Sequence, residues 1–169
     1  MPNTHYSITP IAGVDLAATK AGTGSSYDQG GEHPLGMRVT GPDGTEWMYV
    51  HASGAITQYD AVGIDENYEA AALTKAIADD GHTVGFAQVA FADNAFGWVA
   101  LRGSNINVRL AASCAADVSL YTTSVAGVLD DTSASQTKIN GVTAVVAATA
   151  GVTARELIAS TYPYAELAA

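Results

Sequence analysis

The 169-residue sequence predicts an all-β fold, a small barrel or sandwich preceded by an extended, irregular N-terminal arm. Three observations carry this expectation. Gly and Pro crowd into the first 44 residues. Beyond them, short runs rich in alternating, β-branched and aromatic residues recur with turn chemistry between them. One stretch, within 66–81, has helix-favouring composition. The chain therefore divides into an arm, 1–45, and a β domain, 46–169.

Within the arm, Gly13, Gly22, Gly24, Gly30, Gly31, Gly36, Gly41 and Gly44 lie with Pro2, Pro10, Pro34 and Pro42. "AGTGSSYDQGGEHPLG" (21–36) has a period of neither 2 nor 3.6, so it is expected to be irregular, or ordered only by contact with something else. Tyr6, Ile8, Ile11, Val14, Leu16 and Tyr27 are its apolar anchors. They either dock into a neighbouring subunit or fold back on their own domain. The arm is expected to be disordered in the free protein and ordered on a partner.

In the β domain, "TEWMYVHA" (45–52) alternates and is aromatic, and "DAVGID" (60–65) follows Gly54. Tyr68 to Leu73 is expected as a strand and Thr74 to Asp79 as a helical turn or short helix. "HTVGFAQVAF" (82–91) and "AFGWVALRG" (95–103) read as two β runs joined by a hairpin-type connection, "ADNA". Gly85 and Gly97 inside these runs mark bends or close backbone approaches, as at a barrel corner. "NINVRLA" (105–111) puts Ile106, Val108 and Leu110 on one face, and "VSLYTTSVAGVLDD" (118–131), "KINGVTAVVAAT" (138–149) and "ARELIASTYPY" (154–164) supply the remaining strands.

The polar residues read as punctuation. Asp79, Asp80 and Gly81 precede a strand at His82, where Asp and Gly are favoured for backbone reasons alone. The doublets Asp65-Glu66 and Asp130-Asp131 repeat the pattern. His5, His33, His51 and His82 lack metal-ligand spacing, and Cys114 has small neighbours and no charged helper in sequence, as a buried thiol would. "GTGSS" (22–26) lacks the Lys-Ser/Thr and the flanking strand and helix of a phosphate loop. No catalytic, cofactor or metal residue is assigned. Trp47 and Tyr49 share one strand face, as do Phe96 and Trp98; core packing, subunit contact and a sugar-stacking platform are all open to them.

Composition narrows the partners. Seven basic against 17 acidic residues give a net charge of −10, which repels nucleic acid and anionic membrane. Charged residues are only 14% of the chain, which suits a surface partly hidden against partners. The single cysteine forms no internal bridge. The first residues lack signal-peptide character and no stretch is apolar for long enough to cross a bilayer, so synthesis in the cytoplasm is expected.

The stretches "YVHASGAITQYDAVGID", "LTKAIADDGHTVGFAQVAFADNAFGWVALRG", "NVRLAASCAADVSLYTTSVAGVLDD" and "INGVTAVVAATAG", with the ending "TYPY", together resemble the capsid decoration (cement) proteins of tailed phages over about residues 48–164. The resemblance implies a tulip-like barrel or sandwich that acts without catalysis or cofactor. It implies a place on the outer surface of an icosahedral head, made in the host cytoplasm, with the major capsid protein and copies of itself as partners. A homotrimer is expected, with a dimer as the alternative, and the contact surface would include the six arm anchors with Trp47 and Tyr49. Two other readings compete. A virion-surface adhesion or carbohydrate-binding β module asks for a solvent-exposed aromatic patch around Trp47 or Trp98, and a small hydrolase asks for carboxylates or histidines converging in a cleft.

Overall fold

The computed structural model describes residues 13–22, 31–41 and 44–166. It is all-β, with a closed five-stranded barrel and additional strands. The organising element is β7 (Ala95–Leu110), a 16-residue strand. Over residues 103–110 it pairs antiparallel with β11 (Thr153–Ala165), and at Arg109 and Leu110 it pairs in parallel with β9 (Val128–Asp130). β9 continues to β8 (Leu120–Thr122), β8 to β10 (Lys138–Ala144), and β10 back to β11, which closes the barrel.

The remaining strands pair around the other half of β7. β3 (Glu46–Ala52) lies antiparallel to residues 96–102, and β5 (Glu69–Ala72) lies parallel to β3. β4 (Ala61–Ile64) follows β5, β6 (Thr83–Phe86) follows β4, and the circuit returns to β7 through the single pair Phe86–Ala100. β1 (Thr19–Ala21) and β2 (Arg38–Thr40) form the two sheet edges.

Alternation explains how one strand serves two interiors. Successive side chains of a strand point to opposite faces. Ala100, Ile106, Val108 and Leu110 of β7 join Leu120, Leu129, Ile139 and Val142 in the core of the closed barrel. Ala95, Val99 and Leu101 join Met48, Val50, Val62 and Ile64 in a second core. Side chains on both faces of β7 are buried over residues 95–101, whereas farther along Ile106, Val108 and Leu110 are buried and Asn107 and Arg109 only partly so.

Gly103 allows the two halves of β7 to pair with different neighbours. Its φ of +128° is open essentially only to glycine, and a Cβ there would lie 2.8 Å from the Cα of Thr45. Gly103→Ala is expected to lower stability by about 1–3 kcal/mol; a urea midpoint equal to that of the parent protein would show that the bend relaxes without cost.

Local chemistry places the turns. Thr74 caps helix α1 (Lys75–Asp79), its hydroxyl accepting from the Ile77 N–H at 3.3 Å. The Asp65 carboxylate accepts from the N–H groups of Asn67 and Glu69 at 2.9 and 2.8 Å, which shapes the turn between β4 and β5. The strand and helix expected across 68–79 are both present.

Two expectations are corrected. The runs at 95–103 and 105–111 are one strand, because Gly103 lets the pairing pass from β3 to β11 without a break. β6 ends at Phe86, so 82–91 is not a hairpin arm. Phe91 instead bridges Ile56, and the Ala92–Ala95 turn, with Asn94 at φ +59°, aims the chain into β7. The side-chain amide of Gln88 fills the gap, donating to the Asn107 carbonyl and accepting from its N–H, both at 3.0 Å. Before residue 45, β1 and β2 pair with β7 and β3.

Candidate functional site

The face of β3 and β7 turned away from the second core is aromatic. Tyr49 pairs in register with Trp98, and His51 with Phe96. The ring centroids of Tyr49 and Trp98 are 5.0 Å apart and those of His51 and Phe96 4.7 Å. His33 stands edge-on to Tyr49 at 5.2 Å and tilted against Trp98 at 5.3 Å. Cross-strand aromatic pairs of this kind stabilise sheets beyond their area burial.

Residues from the N-terminal segment cover this face. Val14, Leu16 and Leu35 pack on the cluster formed by Met37, Val39, Tyr49, Phe96 and Trp98. Gly31 permits close approach, since a Cβ there would meet both Phe96 and Tyr49 side chains within 3.4 Å. Of the expected contact residues, Val14 and Leu16 therefore lie against the aromatic face of their own chain, Trp47 is half-buried at its edge and Tyr49 is buried at its centre. Tyr6, Ile8, Ile11 and Tyr27 lie outside the described residues, as does half of the stretch 21–36.

The cover does not fill the space. A cavity of about 330 Å³ remains between residues 13–20 and the rings of His33, Tyr49 and Trp98, with Asp15, Lys20 and Glu32 in its wall. A second, of about 410 Å³, lies beyond Val14 and Asp15 against Trp47, Gln88 and Val89. The Tyr49 hydroxyl accepts from the Glu32 N–H at 3.1 Å, and burial pushes its pKa above the ordinary value. Trp47 Nε1 and His51 Nδ1 are buried with no hydrogen-bond partner among the described residues, and His51 Nδ1 is 3.8 Å from a Glu69 carboxylate oxygen.

Two other polar clusters tie elements of the fold together. Arg38 and Arg102 lie 4.8 and 5.0 Å from the centroid of the Tyr162 ring. The Tyr162 hydroxyl donates to Glu46, which also accepts from Arg102 at 2.7 Å, and these hydrogen bonds hold the Glu46 carboxyl below its usual range. The doublet Asp79-Asp80 serves the end of α1. Asp79 pairs with Lys75 and accepts from the Thr137 hydroxyl, and Asp80 is the C-cap, with Gly81 following at φ +74°.

Among the described residues, one group of three ligating side chains comes together, Cys114, Asp130 and Asp131, with ligand atoms within 4.8 Å of one another. Cys114 has no charged neighbour close in sequence, because both aspartates arrive from β9 and the turn after it. Burial, reinforced by the two carboxylates, pushes the thiol from 9.0 up to about 11. The folded state therefore holds a proton that the unfolded chain releases above pH 9. Stability is expected to fall between about pH 9 and 11. Urea midpoints at both ends of that window check this; Cys114→Ala should remove most of the drop, and an equal drop in the variant would assign it elsewhere.

No protein-family model matches this chain, and no curated protein matches it.

Proposed function

We propose that the protein is a non-catalytic decoration protein that binds the outer surface of an icosahedral phage head and stabilises its lattice. The observation that carries this reading is the connection from β10 to β11. Val145, Val146 and Val152 are 37%, 48% and 46% exposed there. They belong to a segment, 139–154, without one charged residue in a chain of net charge −10. An exposed apolar tip of this kind is a contact surface for another protein. Val145 and Val146 also fall in "INGVTAVVAATAG", one of the stretches that carries the resemblance to cement proteins, and Val152 follows it directly.

The partners in this reading are the major capsid protein and other copies of the chain, arranged as a homotrimer. Several modest contacts made together give an affinity far above that of any one. The adhesion reading asks for a solvent-exposed aromatic patch around Trp47 or Trp98, whereas Trp98 is 1% exposed and Trp47 half-buried.

Co-sedimentation with expanded, undecorated capsids tests the proposal. The full chain is expected to bind saturably at a fixed ratio to the capsid protein, and Val146→Asp with Val152→Asp to weaken binding about tenfold or more. A well-folded chain that binds no capsid at any concentration would overturn the reading and direct attention to a glycan screen.

A further inference from the structure

We propose that Cys114, Asp130 and Asp131 hold a zinc ion that fixes the loop supporting the exposed apolar tip, 145–152. The metal site rests on its own side chains, while its bearing on docking rests on the decoration reading.

Cys114 lies in the connection between β7 and β8, Asp130 ends β9 and Asp131 follows it. The Cys114 Sγ and one carboxylate oxygen from each aspartate stand within 4.8 Å of one another. The thiol forms the inner wall of the group. Its side chain is fully buried, and the acceptor it reaches among the described residues is the Ala115 carbonyl at 3.6 Å, a long contact for a weak donor. Asp131 accepts from the Ala115 N–H at 2.9 Å through one oxygen, which orients the carboxylate and leaves its second oxygen for another partner. The ion pairs among the described residues include neither Asp130 nor Asp131. Three groups able to carry negative charge therefore converge with no cation of the described chain between them.

Like charges held together resist ionisation, and one divalent cation relieves all three groups at once. Sulfur beside carboxylate oxygen selects zinc, which accepts both, over magnesium and calcium, which take oxygen alone. With Zn–S at about 2.3 Å and Zn–O at about 2.0–2.2 Å, ligand atoms of a tetrahedral site lie about 3.3–3.6 Å apart. Rotation of the half-buried carboxylates toward the buried sulfur brings the group to that spacing. As the S–Zn bond forms the thiol gives its proton to solvent, and water takes the fourth position.

The place of the site gives it a consequence for docking. The Cys114 carbonyl accepts from the Ala148 N–H at 2.9 Å, the Asp117 N–H donates to the Ala144 carbonyl at 3.0 Å, and Cys114 and Ala148 pack in one core. The loop that carries the thiol is thus the seat of the apolar tip. A metal that links this loop to β9 orders the tip before it meets a partner, so less freedom is lost on binding.

Cobalt(II) chloride, a spectroscopic stand-in for zinc, is the probe, titrated into the full chain after reduction and removal of metals with a chelator. A near-ultraviolet sulfur-to-cobalt absorption band is expected to saturate and to disappear when zinc is added, with a zinc dissociation constant on the order of micromolar. Cys114→Ser should abolish the band. Asp130→Asn, a half-buried change that spares the core, should weaken cobalt binding roughly tenfold or more. Absence of the band in the parent, or equal cobalt affinity in Asp130→Asn and parent, would overturn the site. With zinc bound, amide exchange at Ala148 is expected to slow and capsid co-sedimentation to tighten roughly threefold or more. Exchange at Ala148 that ignores zinc would overturn the anchoring of the tip. Capsid binding equal with and without zinc would overturn the link to docking while leaving decoration intact. If the parent chain binds no capsid yet its cobalt band saturates, the decoration reading fails and the metal site stands.

Discussion

Asp60→Ala is expected to cost about 3–5 kcal/mol, nearer the lower figure because Arg109 keeps some access to water. Asp60 is buried at the start of β4 and receives the Arg109 guanidinium at 2.5 Å and the Thr57 N–H at 2.9 Å. Arg109 belongs to the barrel half of β7 and Asp60 to the second circuit, so the pair joins the two. The Arg109 N–H also donates to the Tyr59 carbonyl, and the Ala61 N–H to the Gly127 carbonyl, at 2.9 Å each. Removing the carboxylate strands a guanidinium and an amide together. Asp60→Asn, which can still accept from Thr57, should cost less, and replacing both Asp60 and Arg109 by apolar residues should recover part of the loss. Urea unfolding of the four proteins gives the comparison; a loss under about 1 kcal/mol in Asp60→Ala would mean that water reaches the guanidinium freely.

Phe86→Ala should be comparably damaging, at about 3–5 kcal/mol, whereas Phe86→Leu should cost under about 1.5 kcal/mol. Phe86 is fully buried and belongs to the barrel-side core, yet its backbone forms the sole β6 pairing with β7. Truncation leaves a cavity at the seam. Amide exchange in Phe86→Ala should accelerate first in β4 and β6, with β8 and β10 protected until global unfolding. Uniform acceleration would instead make the molecule a single cooperative unit.

The strands were legible where alternation or aromatic and β-branched content marked them. "TEWMYVHA" and "NINVRLA" alternate and are strands, and the acidic doublets Asp65-Glu66, Asp79-Asp80 and Asp130-Asp131 sit in turns or at element ends. The continuity of β7 was not legible, because Gly103 reads locally as a terminator and becomes a bend only when β11, more than forty residues later, supplies the pairing. Likewise Gln88 looks like part of a strand, although its side chain substitutes for one. Of the candidate site, the pairs Trp47 with Tyr49 and Phe96 with Trp98 followed from period 2. Their meeting across β3 and β7 did not, nor did the arrival of His33, which comes from an irregular segment with no pattern to announce it. Cys114 joining Asp130 and Asp131 is a long-range event of the same kind.

The order of pairing along β7 also sets a timetable for synthesis. The second circuit uses residues 46–102, so all its strands have emerged once β7 is half made. The barrel must wait for β11, because residues 153–159 supply the partners of residues 103–110. A nascent chain therefore carries the later half of β7 with an unsatisfied edge while some forty further residues are translated. Non-local closure of this kind is slow and leaves strand edges open to wrong partners. A chain halted before residue 153 is a folded half with an adhesive strand attached, and crowding of such chains on one message would favour aggregation over assembly.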